Sequence, residues 1–314
     1  MNLHSDIKLF GETIRAASQH LKINVVFVEK DYWISLVLSR LAKSKYSSQI
    51  VFKGGTSLSK GFGLIDRFSE DIDIAIIDEE KKSGNEIRTL IRTVEKEMTN
   101  DLAELQMDGV TSKGSRFRKS VFEYPPIDAK NKNNNLIVEI NSFTNPFPFH
   151  PKLIKSMICD FLTQTGNDKF VEQYDLQPFE INVLNKEQTM LEKIVSLIRF
   201  SFEQNVPESL SKKIRHFYDL YFLMQDKGCA AFVKSDNFRL QFNQILNHDK
   251  ELFDEPKGWQ TKSVSESILI SDFDNIWNQL KDNYNKELSA LAYKAIPDEK
   301  KVAESLRELI KLIQ

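Results

Sequence analysis

From Phe27 to Leu41 apolar side chains recur every three or four positions in FVEKDYWISLVLSRL, the period that gathers them on one face of a helix. The period then shortens. QIVF at 49–52 is a short β-branched run, and DIDIAII at 71–77 alternates polar and apolar before turning wholly apolar, as a half-buried strand does. KGGTSLSKGF, which follows the first run, reads as a glycine turn opening a short helix. A charged amphipathic helix is predicted over about 84–106, then a hairpin through Lys113-Gly114-Ser115, a Pro/Asn/Lys loop at 125–135, and a strand in LIVEIN, 136–141. This part is α+β or α/β. After NPFPFHP (145–151) the pattern is mostly helical apart from a strand in PFEINVL, 178–184. Helices are predicted at about 186–204, at 214–224 and through 234–314, the last opened by Pro297 at its first position. The expected division is therefore 1–150 and 151–314, although NPFPFHP would serve equally as a bend within one unit.

Composition narrows the class. The 314 residues suffice for about two domains of ordinary size. With 41% hydrophobic and 28% charged residues, and 22 Phe for a core, wholesale disorder is excluded. The 43 basic and 45 acidic side chains leave a net charge of −2, which excludes nucleic-acid binding through bulk charge and requires a local patch for any polyanion. Cys159 and Cys229 stand far apart with no metal-binding spacing, which fits a reducing compartment and argues against structural zinc. Acidic and basic residues interrupt the N-terminal apolar pattern, so no signal peptide is expected, and no apolar run is long enough for a membrane span. The expectation is a soluble, cytoplasmic protein with no membrane partner.

Candidate chemistry is densest in KGGTSLSKGFGLIDRFSEDID, 53–73. On a strand Asp71 and Asp73 leave the same face, and two adjacent carboxylates repel unless a cation lies between them. Hard oxygen ligands on a rigid strand suit Mg²⁺, though a solvent-facing edge strand could carry the same two aspartates. Gly54-Gly55-Thr56 stands where backbone N–H groups could receive phosphate, or where an ordinary glycine turn would. It is neither a Walker A loop nor GxGxxG. Glu139 could reach the Asp71/Asp73 face from a neighbouring strand as a third carboxylate, or face solvent instead.

Lys53-Gly-Gly-Thr56 followed by Arg67-Phe-Ser69-Glu-Asp71-Ile-Asp73 resembles the first motif of the AbiEii/AbiGii toxins, a branch of the DNA-polymerase-β-like nucleotidyltransferases found in type IV toxin–antitoxin and abortive-infection systems. VEIN around Glu139, PFEINVLNKEQTMLEKIVSLIR at 178–199 and RHFYDLY at 215–221 extend the likeness, in order, over roughly 28–225. The resemblance implies a nucleotidyltransferase fold, a mixed sheet flanked by helices, followed by a mainly α-helical C-terminal domain that contributes Lys193 and Asp219. It implies a catalytic set of Asp71, Asp73, Glu139, Lys193 and Asp219, with Asp71 and Asp73 as metal ligands and Glu139 as the candidate third ligand or acceptor-side base. Lys53, Gly54, Gly55, Thr56, Arg67, Ser69 and Lys193 would meet the NTP. The implied reaction is Mg²⁺-dependent transfer of NMP to an RNA hydroxyl, most plausibly the 3′ end of tRNA, by a toxin with a possible cognate antitoxin.

Two simpler readings stand beside this one. Lys193 could be a snorkelling lysine on the flank of an apolar stripe, and Arg215 and Asp219, four apart, could form a surface ion pair. For an RNA acceptor, Lys113, Arg116, Arg118 and Lys119 form a basic hairpin with Phe117 among them, suited to a single-stranded end or simply to solvent. The same chemistry on a protein or small-molecule hydroxyl, or a nucleotide-binding protein without turnover, would fit the same motifs.

Overall fold

The computed structural model describes residues 2–69, 71–78 and 82–314, and the chain forms two compact units. Unit 1 comprises residues 1–63 and 68–184, and unit 2 comprises 64–67 and 185–314. Glu70, part of the aspartate motif, lies outside the described residues.

Unit 1 opens with α1 (Ile7–Leu21) and α2 (Val25–Lys43), then β1 (Ile50–Lys53), α3 (Gly54–Lys60), β2 (Asp71–Ile76) and α4 (Gly84–Met98). There follow β3 (Ala103–Leu105), β4 (Ser112–Lys113), β5 (Phe117–Glu123), β6 (Asn135–Asn141) and β7 (Phe149–Ile154), then α5 (Met157–Gln164), α6 (Asp168–Gln173) and β8 (Phe179–Leu184). Four of these helices, α1, α2, α4 and α5, begin at a side-chain cap. Asn24 accepts from the Val26 N–H at 3.0 Å, and Ser83 with Glu86 forms a reciprocal capping box ahead of α4. The strands form one mixed sheet in the order β3-β5-β6-β2-β1-β8-β7, with β4 beside β5. β2 runs antiparallel to β1 and parallel to β6, while β1 runs parallel to β8. One face carries Phe52, Ile72, Ile74, Val138 and Ile140, all fully buried, with α2 and α4 packed on the sheet. That apolar face holds β2 and β6 in register and turns the alternate side chains to the other face.

Unit 2 is helical: α7 (Lys186–Phe200), α8 (Val206–Ser211), α9 (Ile214–Gln225), α10 (Lys227–Phe232), α11 (Asp236–Leu252), α12 (Ile268–Ser271), α13 (Phe273–Leu291) and α14 (Glu299–Ile313). α9 is its centre, packed by α7, α10, α13 and α14, with Phe217 against Trp277 at 5.4 Å between ring centroids. Among the described residues no helix is long and apolar enough to cross a membrane.

The mixed sheet and the helical C-terminal region agree with expectation; several boundaries do not. The helix predicted over 84–106 stops at Met98, because Asp101 takes a left-handed φ of 72° and residues 103–105 pair with β5 instead. The division expected at 150 falls inside unit 1: 149–154 is a strand pairing with β8, and the sheet runs on to Leu184. Pro151 disguised that strand, yet β7 is at the sheet edge, where a missing N–H costs little. Nor does Pro297 open the last helix. Asp298 caps it, accepting from the Lys300 N–H at 2.9 Å.

Because Ile74 is fully enclosed between the sheet and its covering helices, Ile74→Ala is expected to cost about 2–5 kcal/mol, measured as a lower urea midpoint with an unchanged slope.

Candidate active site

Register assembles the carboxylates. Lys53 of β1 lies opposite Asp73 of β2, Asp73 opposite Glu139 of β6, and Glu139 opposite Lys119 of β5. Directly opposed residues share a face, so Lys53, Asp73, Glu139 and Lys119 form one row across four strands, with Asp71 one pleat away on the same face. All five are half-buried. The row alternates cation, two anions, cation. Lys119 Nζ lies 3.5 Å from Glu139 Oε2, so in this arrangement Glu139 is held by a lysine.

The glycine segment meets the aspartates directly. Gly54 has φ +77°, and a Cβ there would lie 2.0 Å from Asp73 Oδ2 and 2.9 Å from its Cγ. Only glycine permits both the backbone conformation and that approach. Thr56, 2% exposed, donates its hydroxyl to the Asp71 carbonyl at 2.6 Å, tying α3 to the start of β2. Its hydroxyl is therefore already used within the fold. Ser69, just before the aspartates, is buried.

Whether these residues suit a divalent metal rests on their donor chemistry. Asp71 and Asp73 offer hard oxygens from one strand face, and the cleared space at Gly54 keeps the Asp73 carboxylate in place, so the pair fits a cation such as Mg²⁺. Among the described residues no group of three or more His, Cys, Asp or Glu side chains forms a metal cage, and Glu139 is not drawn into one with the two aspartates.

In unit 2 the motif residues form a buried ionic cluster. Asp219 is fully buried; its Oδ1 accepts from Arg67 Nε at 2.8 Å and its Oδ2 from Arg67 Nη2 at 2.6 Å, while Lys193 Nζ stands 2.8 Å from Oδ2. This bidentate arginine fork plus an ammonium satisfies both oxygens. Burial alone would raise the Asp219 carboxyl, but the charges of Arg67 and Lys193 overcome it and hold the carboxyl well below the usual range. Conversely, burial opposes the Arg67 charge, and Asp219 more than restores it. Both simpler sequence readings fail here. Lys193 is 6% exposed and does not snorkel, and Arg215 pairs with Glu287 at 3.5 Å, not with Asp219. Arg67, expected at the nucleotide, is 2% exposed and spent on Asp219.

The cations of the basic hairpin are paired within the fold. Lys113 reaches Glu104 at 2.9 Å, Arg116 reaches Asp78 at 3.6 Å, and Arg118 pairs with Glu95 and Glu104 on the helix-covered face. With Lys119 on Glu139, each of the four cations has an acidic partner from outside the hairpin, which a count of charge within it misses.

Sequence reasoning also missed three consecutive charged residues of α2. Glu29 accepts from the Ile127 N–H at 2.6 Å, Lys30 sits over the Phe68 ring, and Asp31 binds both Lys60 and the Met157 N–H. All three are at most 5% exposed. Three adjacent charges inside an otherwise apolar helix were the available signal, since such a helix buries nearly its whole circumference.

Two tests follow from this geometry. Gly54→Ala is expected to lower activity about 10–100-fold by displacing Asp73. Gly63→Ala, at a similar φ of +62° but with nothing within 4 Å, separates collision from backbone strain and is expected to retain activity. The second concerns acid. His216 is held well below its ordinary 6.5 by burial and by Lys193 and Lys213, against the opposing pull of Asp219. The unfolded chain therefore takes up this proton first, and stability falls as pH drops below 6.5. Asp219 contributes stability that is present above 3.8 and lost as pH falls toward its lower folded value. Chemical denaturation across pH is expected to show both segments, His216→Gln flattening the upper one, and Asp219→Asn costing about 3–5 kcal/mol at neutral pH.

Comparison with known proteins agrees with the fold. MenT4, a nucleotidyltransferase toxin from Mycobacterium tuberculosis H37Rv, superposes with a TM-score of 0.51 at 14% identity over 96% of this chain and 99% of its own. A nucleotidyltransferase from H. pylori aligns with a TM-score of 0.46 at 17% identity, covering 93% and 96% respectively. At these identities MenT4 bears on the fold alone. No curated protein sequence matches the chain. The family described as nucleotidyl transferase AbiEii toxin, type IV toxin–antitoxin system, matches residues 36–307, a span that includes the glycine segment, the aspartate strand, Glu139, Lys193 and Asp219. The chain belongs to that family of nucleotidyltransferases.

Proposed function

We propose that the chain transfers a nucleoside monophosphate from an NTP to a hydroxyl of RNA, at the 3′ end of tRNA, with Mg²⁺ held by Asp71 and Asp73. One observation carries the reading: Asp73 lies where only a glycine at 54 leaves room, so the glycine segment and the aspartate pair are parts of a single site. A divalent metal is what the family generally uses, and when bound it neutralises phosphate charge and orients the reacting oxygens.

The chain's own groups divide the remaining work. Gly54, Gly55 and Thr56 present backbone to the NTP phosphates, and Lys53 adds a positive charge beside Asp73. Glu139, opposite Asp73, is the acceptor-side base. The acceptor oxygen attacks the α-phosphorus, its proton passes to Glu139, the bond from that phosphorus to the bridging oxygen breaks, and pyrophosphate leaves. In unit 2, Lys193 and Arg67 hold Asp219 between them in the buried ionic cluster.

Membership in the type IV toxin family implies an antitoxin partner and an NTP substrate; RNA as the acceptor is proposed from the likeness of the ordered motifs. The hairpin at 113–119 does not add to that support, because its cations are paired within the fold. The test is incubation of the purified chain with each α-labelled NTP, Mg²⁺, total tRNA and cell extract, followed by separation of RNA, protein and small molecules. Label in the RNA fraction is expected, and Asp71→Ala should abolish it. Label confined to protein or small molecules moves the acceptor; absence of label anywhere, with toxicity preserved in Asp71→Ala, replaces catalysis by binding.

A further inference from the structure

We infer that α2 is a positioning strut for the active site, acting through two adjacent residues, Asp31 and Lys30, that clamp the two chain segments flanking the aspartate pair. The inference rests on the reading of Asp71 and Asp73 as the metal site. Asp31 Oδ1 takes the Lys60 ammonium, and Oδ2 accepts from the Met157 N–H at 2.7 Å. Both side chains of the ion pair are under 10% exposed. Lys60 is the last residue of α3, whose first residue is Gly54, so the pair fixes one end of a single short helix whose other end abuts Asp73. Thr56 ties the same helix to the Asp71 carbonyl.

Lys30 secures the other flank. Its ammonium stands 5.8 Å from the centroid of the Phe68 ring, which is itself stacked on Phe27 of α2 at 4.9 Å. Phe68 lies three residues before Asp71, so the approach to β2 is held by the same helix, one residue away from the Asp31 anchor. Two anchors on neighbouring residues of a rigid helix give the glycine segment and the aspartates little freedom to move apart. Asp31, Lys60 and Lys30 touch no reacting atom in this account; they act through Gly54 and Asp71.

The test measures Mn²⁺ binding by electron paramagnetic resonance, label transfer from NTP, and thermal midpoint on the full chain. Removing one member of a buried pair would strand a charge, so the variant is Asp31→Asn with Lys60→Met, which removes both charges and leaves an amide oxygen for the Met157 N–H. Expected are Mn²⁺ binding and kcat each lowered about 10-fold, with KM for the NTP less affected, and both retained in the single variant Lys60→Arg, which keeps a cation on Asp31. Lys43→Met, at the end of the same helix, breaks an exposed pair with Asp175, which follows α6, and should change neither. Phe68→Leu, which keeps bulk but removes the ring, should reproduce the loss in part. Parent-like Mn²⁺ binding and turnover in the double variant overturn the strut. Should the double variant not fold, parent-like behaviour of Phe68→Leu overturns it. Failure of the metal reading looks different: Asp73→Asn then leaves Mn²⁺ binding intact.

Discussion

The close approach of the Asp73 carboxylate to the α-carbon of Gly54 is the constraint around which unit 1 is arranged. It requires a left-handed residue at the first position of α3, a strand that presents Asp73 toward it, and a neighbour that keeps that strand from sliding. The buried face of the sheet supplies the last condition. A slip of one residue between β2 and β6 would carry Ile72 and Ile74 out of the core and move Asp73 away from both Gly54 and Glu139. Apolar packing on one face is thus what gives the polar face its geometry.

Charge burial is the second organising feature, and it has a common form in the two units. Asp219 in unit 2 and Asp31 in unit 1 are each enclosed and each satisfied at both oxygens, by Arg67 and Lys193 in one case and by Lys60 and a backbone N–H in the other. Such groups add little net stability over apolar residues of the same volume, because desolvation offsets the attraction. They do penalise every arrangement in which a partner is absent. Segments far apart in sequence, 67 with 219 and 31 with 157, are thereby held to one relative placement, which suits a site whose oxygens must stay in fixed positions.

The legible part of the sequence was the part written in local pattern. Alternation in DIDIAII placed Asp71 and Asp73 on one strand face, and the glycines marked the start of α3, because side-chain period and φ preference are properties of a few adjacent residues. Glu139 could be assigned a face but not a neighbour, since that depends on β6 lying beside β2. Arg67 and Asp219 were each singled out by motif, yet their pairing spans 152 positions and leaves no periodic trace. The edge strand at 149–154 was hidden by a proline that would have excluded a central strand.

The same distinction between local and assembled charge changes how the basic hairpin is understood. In sequence, Lys113, Arg116, Arg118 and Lys119 look like a phosphate-binding patch because no acid stands among them. In the fold, Asp78, Glu95, Glu104 and Glu139 approach from the segment after β2, α4, β3 and β6 respectively, so the hairpin's positive charge is locally offset before any polyanion arrives. Counterion release requires cations that exchange solvent ions for phosphate, and a lysine already on a glutamate gives up part of that gain. Lys119 differs from its neighbours: it shares the face of Asp73, and its partner Glu139 lies directly opposite that aspartate. Replacing Glu139 by a neutral side chain would therefore release Lys119 on the face that carries Asp73. The chain's net charge of −2 therefore reflects cations and carboxylates that restrain one another within the fold.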